Sequence, residues 1–224
     1  MIRPSVRARF AALRRFLDRC FVAVYSFRKN RQEHSPLAAL LADDFYLLER
    51  EYLSVREALR QNGKNRRISA AGFSQARSLA AACFLSGGDS ENSVRRFLMQ
   101  AAESDPITGE TLDLFALFLK TEAFARLRQL CRQPGPESAD WRTSGLEAIG
   151  FLRKIGRMDW EELAAKICEE EKILDQDSIY HQMDRKSRRE LRDRIAEWAH
   201  KTRQSIPQAV RFLVEKARKE GGYL

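Results

Sequence analysis

The sequence predicts an all-α protein: a non-repeating bundle of about nine helices with no sheet. Three observations lead there. Apolar residues recur at helical spacing through almost every segment, the breaks carry capping residues followed by proline or preceded by glycine, and alternating Val/Ile/Thr runs between tight turns are missing. No pattern recurs at the periods of helical solenoids.

The first element runs from Val6 to Phe27, with Val6, Phe10, Leu13, Leu17, Phe21 and Val24 at helical spacing and arginines on the flanks. Ser35 followed by Pro36 is an N-cap with proline at the first helical position, opening a helix through Leu59 that ends near Asn62-Gly63. The polar run from Gln61 to Arg67 reads as a loop. A third helix, Ser69 to Leu85, is rich in small residues that permit close packing, and Gly87-Gly88 stops it. Asp89 or Ser90 caps a fourth helix carrying Val94, Phe97, Leu98 and Ala101 on one face, closed by Asp105-Pro106.

Thr108 caps the next helix, through Leu130, which is apolar over most of its circumference and is therefore the expected central core helix. Pro134, Gly135 and Pro136 lie in the strongest loop of the chain. Beyond it come Ser144 to Ile155, a capping-box start at Asp159 and Glu162 leading through Leu174, a helix capped by Asp184, and a last helix from Ser205 to the Gly221-Gly222 stop. The organisation read from this is a basic amphipathic helix over 1–31, a helical subdomain over 32–133, a loop or linker over 134–140 and a second helical subdomain over 141–224.

Composition bounds the function. With 224 residues, 44% hydrophobic and 32% charged, the chain can bury a real core. The apolar run from Cys20 to Phe27 is too short to span a bilayer, and arginines interrupt what would be a signal peptide, so a cytoplasmic location is expected, extending to the inner face of the cell membrane. Net charge is +9, but residues 1–31 hold nine basic residues against Asp18 alone, so they carry +8 of it and the body is nearly neutral. That placement disfavours nucleic acid as a partner and makes the first helix, through Arg7, Arg14, Arg15, Arg19 and Arg28, the candidate contact with a partner or an anionic membrane surface.

Catalytic and cofactor motifs are not found. His34, His181 and His200 lie far apart, Cys20, Cys83, Cys131 and Cys168 form no C-x-x-C pair and read as buried free thiols, and there is no G-x-S-x-G, G-x-G-x-x-G or P-loop. No catalytic, cofactor or metal residue is therefore assigned. Asp175-Gln176-Asp177 spells D-x-D, but it follows a helix rather than a strand and reads as a helix-ending turn. Arg185, Lys186, Arg188, Arg189, Arg192 and Arg194 are interleaved with Glu190, Asp193 and Glu197, so they read as a solvated face or as a counterpart of the acidic run Glu169 to Asp177.

Three stretches, in order, resemble a known family. Asp44-Phe45-Tyr46-Leu47-Leu48-Glu49 with Tyr52 and Arg56 is similar to the NFYLIE…Y…VR opening of bacterial cyclic β-1,2-glucan synthases. Val94-Arg95-Arg96-Phe97-Leu98 and Ile107-Thr108-Gly109-Glu110-Thr111-Leu112 resemble that family's RRFL…PLTIGELWALP region. Met158-Asp159-Trp160, Glu171 to Leu174, Asp177, Ile179-Tyr180, Met183-Asp184, Ser187-Arg188 and Arg192 resemble its LDW…VE-ILR-DPAGVY-x-MDF-x-TRDRYR segment. The chain departs from that segment at Ser178, Arg185 and Leu191.

The resemblance covers about Leu41 to Ala217 and implies the helical N-terminal region of such a synthase, without its membrane glycosyltransferase that uses UDP-glucose or its phosphorylase-like domain. It implies a non-catalytic accessory domain whose partner is the membrane transferase, with Tyr46, Tyr180, Met183, Asp184 and Arg188 as interface candidates because they fall in the matched motifs. A peripheral membrane or protein–protein adaptor is the alternative, and a nucleic-acid-binding protein the third.

Overall fold

The computed structural model describes residues 5–31, 35–65, 68–86, 90–132 and 139–220. Among them every regular element is helical, and there are twelve: α1 Val6–Arg31, α2 Pro36–Asp43, α3 Phe45–Asn62, α4 Ala70–Leu85, α5 Glu91–Ser104, α6 Gly109–Arg132, α7 Ala139–Ile155, α8 Trp160–Ile167, α9 Glu169–Leu174, α10 Ser178–Gln182, α11 Arg185–Thr202 and α12 Ile206–Glu220. The all-α class stands, and the count of about nine is corrected to twelve among the described residues.

The excess has a local cause at each of three places. The helix expected from Pro36 to Leu59 breaks at Asp44 (φ −100°, ψ 12°), where Arg153 of α7 donates to the Asp44 carboxylate at 2.5 Å and holds the corner. The helix expected through Leu174 breaks at Cys168, whose backbone is extended (φ −78°, ψ 130°) although its N–H still reaches the Ala164 carbonyl at 2.8 Å. The D-x-D stretch is the turn that makes room for α10: Asp175 ends α9, and Asp177 Oδ1 accepts from the Ile179 and Tyr180 N–H groups at 2.9 and 3.0 Å.

The expected caps are otherwise formed. Ser69, Thr108, Asp159 and Asp184 each accept from the N–H three residues on. Ser205 and Gln208 exchange bonds reciprocally, and so do Ser90 and Ser93. At Asp159 the capping box stays half closed, because Glu162 turns to Arg95 and Lys166 instead. Ser35 starts α2 by backbone geometry alone, with no side-chain cap. The glycine stops at 87–88 and 221–222 and the loop core at 134–136 lie outside the described residues.

The chain forms two compact units: Met1–Val94 with Asp113–Met158, and Arg95–Leu112 with Asp159–Leu224. Neither boundary falls in the proline-glycine segment. Residues 139–158 belong to the first unit because α7 packs on α2 and α3. Gly145 is what permits the approach: a Cβ there would lie 3.1 Å from Leu40 Cδ2 and 3.4 Å from Leu37 Cδ1.

In the first unit α1 is a core helix. Phe10, Leu13, Leu17, Cys20 and Val24 form its buried stripe. Phe10 meets Phe73 of α4 edge-on at 4.9 Å, and Phe118 of α6 lies 5.0 Å from Phe73. The part of α6 in this unit is buried nearly all round, at Leu114, Phe115, Leu117, Phe118, Leu119, Ala123, Phe124, Leu127 and Leu130. Of the small residues on α4, Ala76 and Ala80 are buried, whereas Ala70, Ala71 and Ala82 are exposed. Glu51 is the buried carboxylate here. Burial pushes its carboxyl up, but Lys120 (2.8 Å) and Arg50 (3.0 Å) outweigh that and hold it below the usual range. The second unit closes around Leu174, Tyr180, Ile195, Ala199, Ala209, Val210 and Val214.

Because α1 is core, Phe10→Ala is expected to cost about 3–5 kcal/mol, read by urea denaturation, whereas Arg7→Ala on the exposed side stays within about 0.5 kcal/mol. Equal effects would remove α1 from the core.

Candidate functional site

Two places gather charged side chains, one in each unit. In the second unit the chemistry converges on three consecutive glutamates at the start of α9. Glu169 pairs with Arg211 of α12. Glu170 Oε1 accepts from the Gly109 N–H at 2.5 Å, capping the N-terminus of α6 from outside that helix. Glu171 is buried, accepting from Tyr180 Oη at 2.7 Å and from Arg192 Nη1 at 3.0 Å, while Arg192 also faces Glu161 at 3.6 Å. Arg188 lies over the Tyr180 ring at 5.2 Å and donates to the His181 carbonyl at 2.6 Å.

The electrostatics follow from burial. Tyr180 is raised well above the ordinary phenol range, first by burial and then by the Glu171 carboxylate that its hydroxyl serves. Burial works against the charge of Arg192, but Glu171 more than compensates and keeps it a firm cation. Burial pushes the Glu170 carboxyl up, and the Gly109 N–H offsets only part of that. These groups bond one another, apart from Glu170 Oε2 and Arg188 Nε, which are buried without a hydrogen-bond partner among the described residues, so the cluster is a clamp between helices: it fixes the directions of α9, α10 and α11 and the first turn of α6.

In the first unit Phe45 and Tyr52 join α3 to α1. Phe21 stacks on Tyr52 at 4.0 Å with an interplanar angle of 6° and lies 6.0 Å from Phe45, whose ring carries the Arg28 guanidinium at 3.6 Å. Asp18 accepts from Tyr52 Oη at 2.8 Å and from Arg56 Nε at 2.9 Å. On the outward face of α1 no such partner is present among the described residues. Arg15, Arg19, Val22, Ser26 and Lys29, at i, i+4, i+7, i+11 and i+14, are all exposed.

The sequence candidates therefore separate. Tyr46 is an exposed side chain, at 78%, and remains available as a surface residue. Tyr180, at 1%, is core and offers no surface. Met183 packs on the same core, Asp184 is consumed in capping α11 through Ser187, and Arg188 is held by Tyr180 and His181. On α1, Arg7, Arg15 and Arg19 are exposed, whereas Arg14 and Arg28 are half-buried on its flanks. Cys20, Cys83 and Cys168 are buried free thiols and Cys131 is half-buried; burial raises Cys20 and Cys83 to about 11 and Cys131 to about 12, which leaves them protonated at neutral pH.

Sequence reasoning missed two features. One is the three-way division of Glu169 to Glu171, which only the break at Cys168 allows. The other is an open groove of about 450 Å³ in the first unit, lined among others by Phe84, Glu122, Arg126, Ser144 and Phe151, with Leu85 exposed at its side. No motif signalled it, because its walls come from α4, α6 and α7. Glu122 there is raised by burial, which Arg77 only partly offsets. Arg126 donates to Ser144 Oγ at 3.0 Å. Among the described residues no group of three or more His, Cys, Asp or Glu side chains is arranged to hold a metal, and no helix is long and apolar enough to cross a membrane.

Compared with known proteins, the chain matches no family model, no curated protein and no solved structure.

Glu171→Gln keeps one acceptor oxygen but removes the charge that pairs with Arg192 and puts an NH2 group where the second acceptor stood, so Arg192 or the Tyr180 hydroxyl loses its acceptor and the change is expected to cost about 2–3 kcal/mol in chemical denaturation. Glu169→Gln, which breaks an exposed pair, should stay below about 1 kcal/mol. A reversed order would show that the clamp is not centred on Glu171. Glu170 behaves in the opposite sense. Its folded-state carboxyl is raised, so stability is greatest below the unfolded value and declines as pH rises through the folded one. Glu170→Gln keeps an acceptor for Gly109 and removes the buried charge. Its Tm should exceed that of the parent at neutral pH, with the gain fading on acidification; a gain independent of pH would refute this.

Proposed function

We propose that the chain is a non-catalytic helical accessory domain, a relative of the N-terminal helical region of cyclic β-1,2-glucan synthases, that packs on or positions a membrane glycosyltransferase at the cytoplasmic side. One observation carries this reading: several residues of the three matched stretches tie helices together. Asp44 bonds Arg153, and Phe45, Tyr52 and Arg56 make the α1–α3 seam. Gly109, from the second stretch, bonds Glu170, next to Glu171 of the third. Glu171, Tyr180, Arg188 and Arg192, all from the third, form the clamp.

In the second unit residues of the third stretch meet one another and Gly109 of the second meets Glu170 beside them, and in the first unit the first stretch meets residues of α1 and α7 outside the matched stretches, which supports a likeness of scaffold. Their polar groups are spent on structural bonds, and this favours a positioning role over turnover of a nucleotide sugar. Tyr46, inside the first matched stretch yet 78% exposed, is the residue assigned to the contact with the transferase.

The test is complementation. A cyclic glucan synthase lacking its own N-terminal helical region is supplied with this chain, fused or in trans. Glucan formation from UDP-glucose is expected to recover, and Tyr46→Ala is expected to reduce the recovery without lowering the stability of the chain. Failure of the folded chain to restore synthesis would overturn the reading, as would glucose transfer by the purified chain alone.

A further inference from the structure

We infer that the outward face of α1 is an electrostatic docking surface for an anionic lipid bilayer, lying flat against the headgroups with its apolar face kept inside the protein. This inference rests on α1 alone and is independent of the transferase reading.

The helix is 26 residues long, so roughly 39 Å at 1.5 Å per residue. Along that length Arg15, Arg19 and Lys29 stand on one exposed line, with Arg7 exposed toward the N-terminal end. Among the described residues no carboxylate pairs with any of the four. Asp18, the acidic residue of this segment, is engaged through Oδ1 by Tyr52 and Arg56. Among the described residues these cations therefore have no counter-charge, and an anionic surface supplies one.

A bilayer fits this face better than an isolated anion or a duplex for two reasons. The charges follow a straight line instead of converging on a point, which suits a plane of headgroups. Between them stands Val22, 60% exposed, which gains by sinking to the headgroup level but has nothing to do against a phosphodiester backbone, whereas Tyr25 is turned to Phe45 and Arg28. Ala8 and Ala12 lie exposed on the same side and leave the helix free to approach closely. Each cation near an anionic surface is worth about 1 kcal/mol.

The structure also determines which variant can test this. Deleting residues 1–31 would remove Phe10, Leu13, Leu17, Cys20 and Val24 from the core and confound binding with unfolding. Arg15→Gln, Arg19→Gln and Lys29→Gln combined leave every buried contact in place. The full chain is floated with phosphatidylcholine vesicles, with and without phosphatidylglycerol, at low and raised salt. Binding is expected only with phosphatidylglycerol, falling with salt, and the triple variant should lose roughly a hundredfold in partitioning. Val22→Ser should lose a smaller factor at constant salt dependence. Equal binding to neutral vesicles, or a triple variant that binds like the parent while its circular dichroism is unchanged, would overturn the inference. So would double-stranded DNA that displaces the protein from the vesicles at matched charge, which would reassign the face to nucleic acid.

Discussion

Burial of the Phe10, Leu13, Leu17, Cys20 and Val24 stripe is the constraint on which the first unit depends. At about 1.5–3 kcal/mol for each fully buried large apolar side chain, the stripe is comparable to the whole stability of a typical domain. A basic amphipathic helix read from sequence alone could insert that stripe into a membrane, but doing so here would forfeit the core. The balance decides the orientation: the apolar side stays with α3, α4 and α6, and only what remains outside can meet a partner. The seam to α3 then consumes Asp18, Phe21 and Arg28, so the exposed charges are those that the fold has no use for.

The second unit is organised by a different economy of charge. Successive residues of a helix point about 100° apart, so three glutamates in a row cannot share one partner. Glu169 turns to α12, Glu170 to the first turn of α6, and Glu171 to Tyr180 and Arg192. An uninterrupted helix through Cys168 would have set these directions by its register with α8. The extended residue at 168 frees α9 to take a direction of its own. The cost falls on Glu170, whose burial is offset only in part by the N–H groups of Gly109 and of Glu170 itself, whereas Glu171 is well matched.

How much of this was legible in the sequence depended on range. Caps are local, and Ser69, Thr108, Asp159, Asp184 and Ser205 were readable because the donor lies three residues away. The apolar girdle of α6 was readable for the same reason. The breaks at Asp44 and Cys168 were not, since neither carries proline or glycine; Asp44 is held by Arg153, more than a hundred residues on. Among the candidate site residues, Tyr46 and Tyr180 look alike in sequence, each an aromatic inside a matched motif. What separates them is a buried acceptor, Glu171, that the short-range pattern does not reveal. The acidic run beside the basic stretch was a sound hint, realised among the described residues at Arg192 and Glu171.

Net charge, finally, informs about binding only after internal pairing is subtracted. The stretch from Arg185 to Arg194 holds six basic residues against the four that α1 exposes, yet Arg192 is neutralised by Glu171 and Glu161, Lys186 lies 4.0 Å from Glu190, and Arg188 is taken up by a carbonyl and a ring, which leaves Arg189 and Arg194 exposed. On α1 the corresponding subtraction removes Arg28, stacked on Phe45, and Arg56 takes up the charge of Asp18. Arg7, Arg15, Arg19 and Lys29 are left. Two stretches of similar composition therefore carry different fields, and the difference lies in the carboxylates that folding brings to one of them. The surplus cations stand opposite the stripe that anchors their helix, so the packing that stabilises the first unit also determines which way its charge faces.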